Sequence, residues 1–222
     1  MPGTEVMNIC FHGIGTPHRD LEPGEDSYWA RTDRFHEILD EIASWPSVRI
    51  SFDDGNASDV EVGLPALKER GLTAQFFVLA GRLGAAGSLT PAGVGELASA
   101  GMTVGTHGMS HRSWRGMDPG TRRAELVEAR QRIEDASGCA VTEAACPMGR
   151  YDRRLLSELR HLGYQRVYTS DRRPASRDGW LQPRFSVHSG DTAEALRATV
   201  LSGPGPARRA RQTMAGLAKR IR

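Results

Sequence analysis

The chain has few cysteines, no long apolar run and no one-sided charge over most of its length, and each shortage argues against a class of protein. Cys10, Cys139 and Cys146 are odd in number and show no Cys-x-x-Cys spacing, which speaks against a disulfide framework and against a thiolate zinc site. They read as small buried hydrophobes. No stretch approaches the roughly 20 apolar residues of a membrane span. The start, Met1-Pro2-Gly3-Thr4-Glu5-Val6, has neither the basic nor the apolar region of a secretory leader, so the expected location is the cytoplasm. Internal repeats and low-complexity tracts are absent. The formal net charge is +2. Six cations (Arg208, Arg209, Arg211, Lys219, Arg220 and Arg222) lie in the final segment 207–222 without an acid among them, and subtracting them leaves −4 on the rest. The body is therefore not expected to bind nucleic acid, and only the basic tail suits an anionic partner such as an anionic lipid.

What is present is a regular alternation of strand-like and helix-like runs. Strands are expected at Val6 to His12, Val48 to Phe52, Thr73 to Leu79, Met102 to Thr106, Val141 to Ala145, Gln165 to Ser170 and Phe185 to His188. Between them, Phe35, Ile38, Leu39 and Ile42 recur at helical spacing, and Thr90-Pro91, Asp118-Pro119 and Asp152 mark helix starts. Strands that alternate with helices pair in parallel through right-handed crossovers. The expected fold is an α/β barrel of about seven parallel strands, closed or nearly so, over residues 1–202. A Gly/Pro linker at 203–206 and the basic tail at 207–222 follow. With 222 residues, one large domain can bury a full core without a structural metal.

In such barrels the chemistry gathers at the carboxyl ends of the strands, and the polar residues fall there. The second strand delivers Asp53 and Asp54 into Gly55, and the fourth ends in His107-Gly108-Met109-Ser110-His111. His12 and the segment from Cys146 to Tyr151 also follow strand ends. Two imidazoles and one carboxylate fill three positions of a divalent metal and leave the rest open, as a catalytic site requires. The other carboxylate is then free to act as a base. Trp114, Trp180 and Tyr28-Trp29 are candidates for stacking on a sugar ring.

Ser51-Phe52-Asp53-Asp54-Gly55 resembles the first motif of the NodB-homology polysaccharide deacetylases, carbohydrate esterase family four, usually Thr-Phe-Asp-Asp-Gly. His107-Gly108-Met109-Ser110-His111 is similar to their second, His-Ser/Thr-x-x-His. The resemblance spans about His12 to residue 190 and implies a distorted (β/α) barrel that removes acetyl groups from N-acetylated sugars by metal-dependent hydrolysis. It implies Asp53 as general base and Asp54, His107 and His111 as ligands of a metal, zinc first and manganese, cobalt or nickel next. Ala145-Cys146-Pro147-Met148-Gly149 stands where the third motif, Arg-Pro-Pro-Tyr-Gly, belongs, and implies an oxyanion donor in the Met148 backbone N–H. Gly149, Tyr151, Trp180 and Arg184 complete the substrate-side expectation.

Two departures stand out. Ala145 replaces the arginine that orients the base, leaving Arg150 or Arg184 to supply that charge. The Leu-x-His motif of the general acid has no clear counterpart, and His188 is preferred over His12 for that role. Two other readings use the same residues: a non-catalytic barrel that binds a glycan, and a mononuclear Fe(II) oxygenase. Asp53 argues against the oxygenase, which needs no second acid.

Overall fold

The computed structural model describes residues 5–201, so the expected linker at 203–206 and the basic tail lie outside the described residues. Six strands form the wall of a barrel in chain order: β1 Glu5–Phe11, β2 Val48–Asp54, β3 Ala74–Val78, β4 Thr103–Thr106, β5 Glu143–Ala145 and β6 Arg166–Thr169. Each pairs in parallel with the next. Helices cover the outside: α1 Thr32–Ala43, α2 Leu64–Glu69, α3 Pro91–Ser99, α4 Pro119–Arg123, α5 Ala129–Ser137, α6 Arg153–His161 and α7 Ala193–Leu201. The start signals act as the sequence implies. Thr90 accepts from the Gly93 N–H, Asp118 from Gly120 and Thr121, and Asp152 from Leu155. The single helix expected after Asp118 is interrupted by a π turn at Ala124–Glu128.

The barrel is nearly closed and mostly parallel as expected, but its last part is built from shorter strands than the sequence implied. Three short strands occur late in the chain: β7 Ala175–Ser176, β8 Leu181–Pro183 and β9 Phe185–Ser186. β7 pairs with β1 antiparallel. The extended run from Leu181 to Ser186 pairs first with β6, through β8, and then with β1, through β9. One segment thus bridges the last wall strand to the first, and Arg184 sits between its two halves. The expected strand at Phe185 to His188 keeps only its first two residues, and two strands were not foreseen. Two- and three-residue strands carry no periodicity, and Pro183 within one of them reads as a breaker.

Alternation along the strands sorts side chains to the two faces. Ile9, Phe11, Ile50, Phe52, Phe76 and Val78 face the helices and merge with Phe35, Leu39, Leu67, Leu97 and Leu196 in one core. Phe52 stacks on Phe76 with centroids 4.7 Å apart. A second cluster around Trp114, Leu126, Leu159 and Val167 joins the π turn, α6 and β6. Trp114 is buried there and its indole N–H donates to Glu125, so it packs the core instead of meeting a sugar.

The opposite face fills the barrel interior with polar groups that pair with each other. Asn8 donates to Gln182, Arg49 reaches the same Gln182 oxygen, and the Tyr168 hydroxyl donates to Glu143. Among the described residues no helix is long and apolar enough to cross a membrane.

Space in the interior is tight beside the site. A Cβ on Gly105 in β4 would lie 2.6 Å from the Phe77 ring and 2.9 Å from the Glu143 carbonyl oxygen, neither of which can yield cheaply. Gly105→Ala is expected to cost about 1–3 kcal/mol through overpacking, read as a lowered denaturation midpoint. An unchanged midpoint would mean that the interior is looser than these distances imply.

Candidate active site

At the carboxyl ends of the strands a cavity of about 350 Å³ opens. His12, Asp53, Asp54, His107, Met148 and Ser170 line it from the barrel side, and Glu22, Glu25 and Tyr28 from the β1–α1 connection. A larger open depression of about 810 Å³ runs along α6 between Arg153, Arg154 and His161. It contains none of the strand-end groups. Strain points to the smaller cavity: of the four non-glycine residues with positive φ among the described residues, Asp54 (77°), His111 (49°) and Met148 (56°) all line it. Such conformations persist where the surrounding structure enforces them, commonly at functional sites.

The doublet at the end of β2 is split by its surroundings. Both oxygens of Asp53 accept from Arg184, at 2.6 Å each, and Arg184 is fully buried. The same guanidinium donates to the Ser51 hydroxyl at 3.1 Å and lies over the Phe77 and Tyr168 rings. Burial alone would raise the Asp53 carboxyl, but the charge of Arg184, with His107 and His12, outweighs it and holds Asp53 well below the usual carboxylate range. Of the two arginines open to supply the charge absent at Ala145, it is Arg184 that pairs with Asp53. The sequence also offered it as a substrate contact, whereas the structure seals it beneath the carboxylate.

Asp54 faces the other way. Its Oδ1 is buried, has no hydrogen-bond partner, and lies 3.6 Å from His107 Nε2 and 3.5 Å from His111 Nε2. The three donor atoms fall within 4.8 Å of one another. Ligands about 2.1 Å from a shared tetrahedral ion stand about 3.4 Å apart, so the set fits a divalent metal. Both rings present Nε2 because Nδ1 is engaged: His107 Nδ1 lies 2.9 Å from the Ala145 carbonyl, and His111 Nδ1 lies 2.7 Å from Glu22. An acceptor there requires an N–H on Nδ1, which leaves the lone pair on Nε2. Burial lowers the His107 pKa, which favours the neutral ring a metal needs.

Cys10, His12 and Asp53 form a second close group, but Arg184 already occupies both Asp53 oxygens. Burial also pushes the Cys10 thiol up, away from the thiolate a metal would require.

The two histidines considered for proton delivery both lie against Tyr28. Its ring centroid is 4.8 Å from that of His12 and 4.5 Å from that of His188. His12 lines the cavity next to Asp53, and its Nδ1 is buried without a hydrogen-bond partner. His188 is not among the residues that line the cavity, and its Nε2 lies 3.3 Å from Arg172. Three other expected contacts lie off the cavity. The buried Tyr151 donates to Asp171 at 2.6 Å, and Gly149 packs closely against Ser170. Trp180 donates to the Tyr164 carbonyl and stacks under Arg160. Arg150 is exposed and does line the cavity. Glu22 was not foreseen, because an acid in an irregular loop carries no periodic or motif signal.

A nearly closed, mostly parallel barrel with two histidines and a carboxylate at its strand ends, and a second carboxylate beside them, is a NodB-type barrel. A family model described as polysaccharide deacetylase matches residues 42–167, more than half of the 222, and the chain belongs to that family. YxkH of Bacillus subtilis (strain 168), a polysaccharide deacetylase by name, is 28% identical over 149 residues, 67% of this chain and 52% of its own length. The chain thus spans about half the length of that curated relative. Among solved structures, the Streptococcus pyogenes deacetylase PplD in complex with acetate superposes with a TM-score of 0.77 at 20% identity, covering 92% of this chain and 100% of PplD. IcaB from Ammonifex degensii gives 0.71 at 21%, covering 89% and 97%. The polysaccharide deacetylase BC0361 from Bacillus cereus gives 0.76 at 16%, covering 88% and 68%. At these identities the structures establish the fold.

Arg184→Met should leave Asp53 charged and unpaired in the interior, at a cost of about 3–5 kcal/mol. The double variant Asp53→Asn/Arg184→Met should recover much of that loss in the same denaturant titration. A single-variant cost under about 1 kcal/mol, the size of an exposed pair, would contradict the buried pairing.

Proposed function

We propose that the chain is a metal-dependent hydrolase that removes an N-acetyl group from a saccharide or saccharide-like substrate. The observation that carries this reading is the division of the doublet, with Asp53 clamped by Arg184 and Asp54 open toward two Nε2 atoms. Family membership supports it, and PplD, of similar fold, was solved with acetate, the acid such a reaction releases. Asp54, His107 and His111 would hold the ion. Zinc is the first choice, and manganese, cobalt and nickel suit the same nitrogen and oxygen donors.

When bound there, a divalent cation would supply Lewis acidity and lower the pKa of a coordinated water toward roughly 7. Asp53 accepts a proton from the attacking water, and its bidentate tie to Arg184 keeps the carboxylate aimed. A bond forms between the water oxygen and the amide carbon, and the Met148 N–H donates to the resulting oxyanion. His12 delivers a proton to the departing nitrogen as the C–N bond breaks, leaving acetate and a free amine. His12 takes this role in preference to His188 because His12 lines the cavity and His188 does not. The non-catalytic reading rested on the lost arginine and the uncertain acid, and the pairing of Arg184 with Asp53 weighs against the first of these grounds.

The test is acetate release from a panel of N-acetylated sugars by zinc-loaded protein. Asp53→Asn and His12→Gln should each lower the rate by about 10²- to 10⁴-fold, while His188→Gln should retain most of it. Loss with His188→Gln and retention with His12→Gln would reverse the assignment of the acid. If no sugar releases acetate and Asp53→Asn behaves as the wild type, the hydrolase reading is wrong.

A further inference from the structure

We infer that Glu22 is a positioning residue for His111, and that through it the connection between β1 and α1 is built into the metal site. The inference rests on the metal reading above and adds a component to it. The two metal-facing histidines are oriented by unlike acceptors. His107 uses the Ala145 carbonyl, a neutral group of the barrel wall. His111 uses a carboxylate from a connection 89 residues earlier in the chain. Glu22 meets the ring at Nδ1, on the side away from Asp54, so it orients the ligand and is not a ligand itself.

Glu22 is in turn held from two directions. Its other oxygen accepts from Arg82, at the end of the short turn Ala80–Arg82 that follows β3. That turn is clamped to the histidine loop, because the N–H groups of Ala80 and Gly81 donate to the Gly108 and Met109 carbonyls at 2.9 Å each. A Cβ on Gly81 would lie 2.3 Å from the Met109 oxygen, so the clamp leaves no slack. On the other side the Glu22 N–H donates to Glu25 at 2.8 Å, and Glu25 pairs with Arg19. Arg19 then reaches the Asn56 side chain at 2.9 Å, two residues past Asp54. The connection is fastened on both flanks of the three donor atoms.

A carboxylate on the far nitrogen fixes the imidazole tautomer and ring angle and strengthens the ring as a donor, and removing such a partner typically costs 10- to 100-fold in metal affinity. Coupling of this kind is reciprocal. If Glu22 strengthens metal binding, bound metal must stabilise the connection that carries Glu22 by the same factor.

The experiment is a titration of metal-free protein with Co(II), read by visible absorption, alongside hydrogen exchange of residues 17–28 with and without Co(II). Glu22→Ala is expected to weaken Co(II) binding about 10- to 100-fold. Glu22→Gln, isosteric and still able to accept from Nδ1, should fall between it and the wild type. Arg82→Met should shift affinity in the same direction. Co(II) should slow exchange across residues 17–28 in the wild type and not in Glu22→Ala. If Glu22→Ala fails to fold by circular dichroism, Glu22→Gln carries both measurements. Wild-type affinity in the Glu22 variants, or metal-induced protection that persists in them, overturns the inference and leaves the metal site standing. A wild-type chain that takes up no Co(II) overturns the metal reading and this inference together.

Discussion

The fully buried pair between Asp53 and Arg184 is the interaction on which both the closed barrel and the divided carboxylates depend. Moving two such charges from water costs several kcal/mol per ion, and only close, multiply bonded geometry offsets it. Here the guanidinium meets both carboxylate oxygens at 2.6 Å, takes Ser51 as a third acceptor, and lies against Phe77 and Tyr168. Arg184 can do this because it stands between β8, paired to β6, and β9, paired to β1. The same six residues that close the wall carry the cation into the interior. With Arg184 committed to Asp53, Asp54 is the carboxylate left to face His107 and His111.

Backbone conformation serves the same division. Asp54 and Gly55 both take positive φ, which turns the chain sharply at the end of β2 and sends adjacent carboxylates in different directions. Aspartate tolerates this region better than most residues, so the turn and the chemistry select the same side chain. His111 and Met148 hold comparable angles in the loops after β4 and β5. Three of the four such non-glycine residues among the described residues thus line the cavity, and Arg172 is the exception.

Much of this plan was legible in the residue order. The first six strands and their covering helices announce themselves through alternation and through caps at Thr90, Asp118 and Asp152. The doublet and the histidine pair at strand ends located the cavity, because parallel barrels expose those ends together. What stayed hidden was long-range and aperiodic. Arg184 was one of two arginines open for that charge, but it lies 131 positions from Asp53 and nothing local chose it over Arg150. His188 looked the better acid from its place in the chain, yet it is His12 that lines the cavity. Trp114, Trp180 and Tyr151 suggested substrate contacts by type alone, and packing uses them elsewhere.

The central claim is that one carboxylate of the doublet belongs to the metal and the other to the base. A crystal structure of the chain grown with Zn(II), with the ion located by anomalous scattering, tests it directly. The account predicts a single ion about 2.0–2.2 Å from Asp54 Oδ1 and from Nε2 of His107 and His111, with Asp53 unligated and still bidentate to Arg184. An ion bound by Asp53 with Cys10 or His12, or an Arg184 released from the carboxylate on loading, would contradict it.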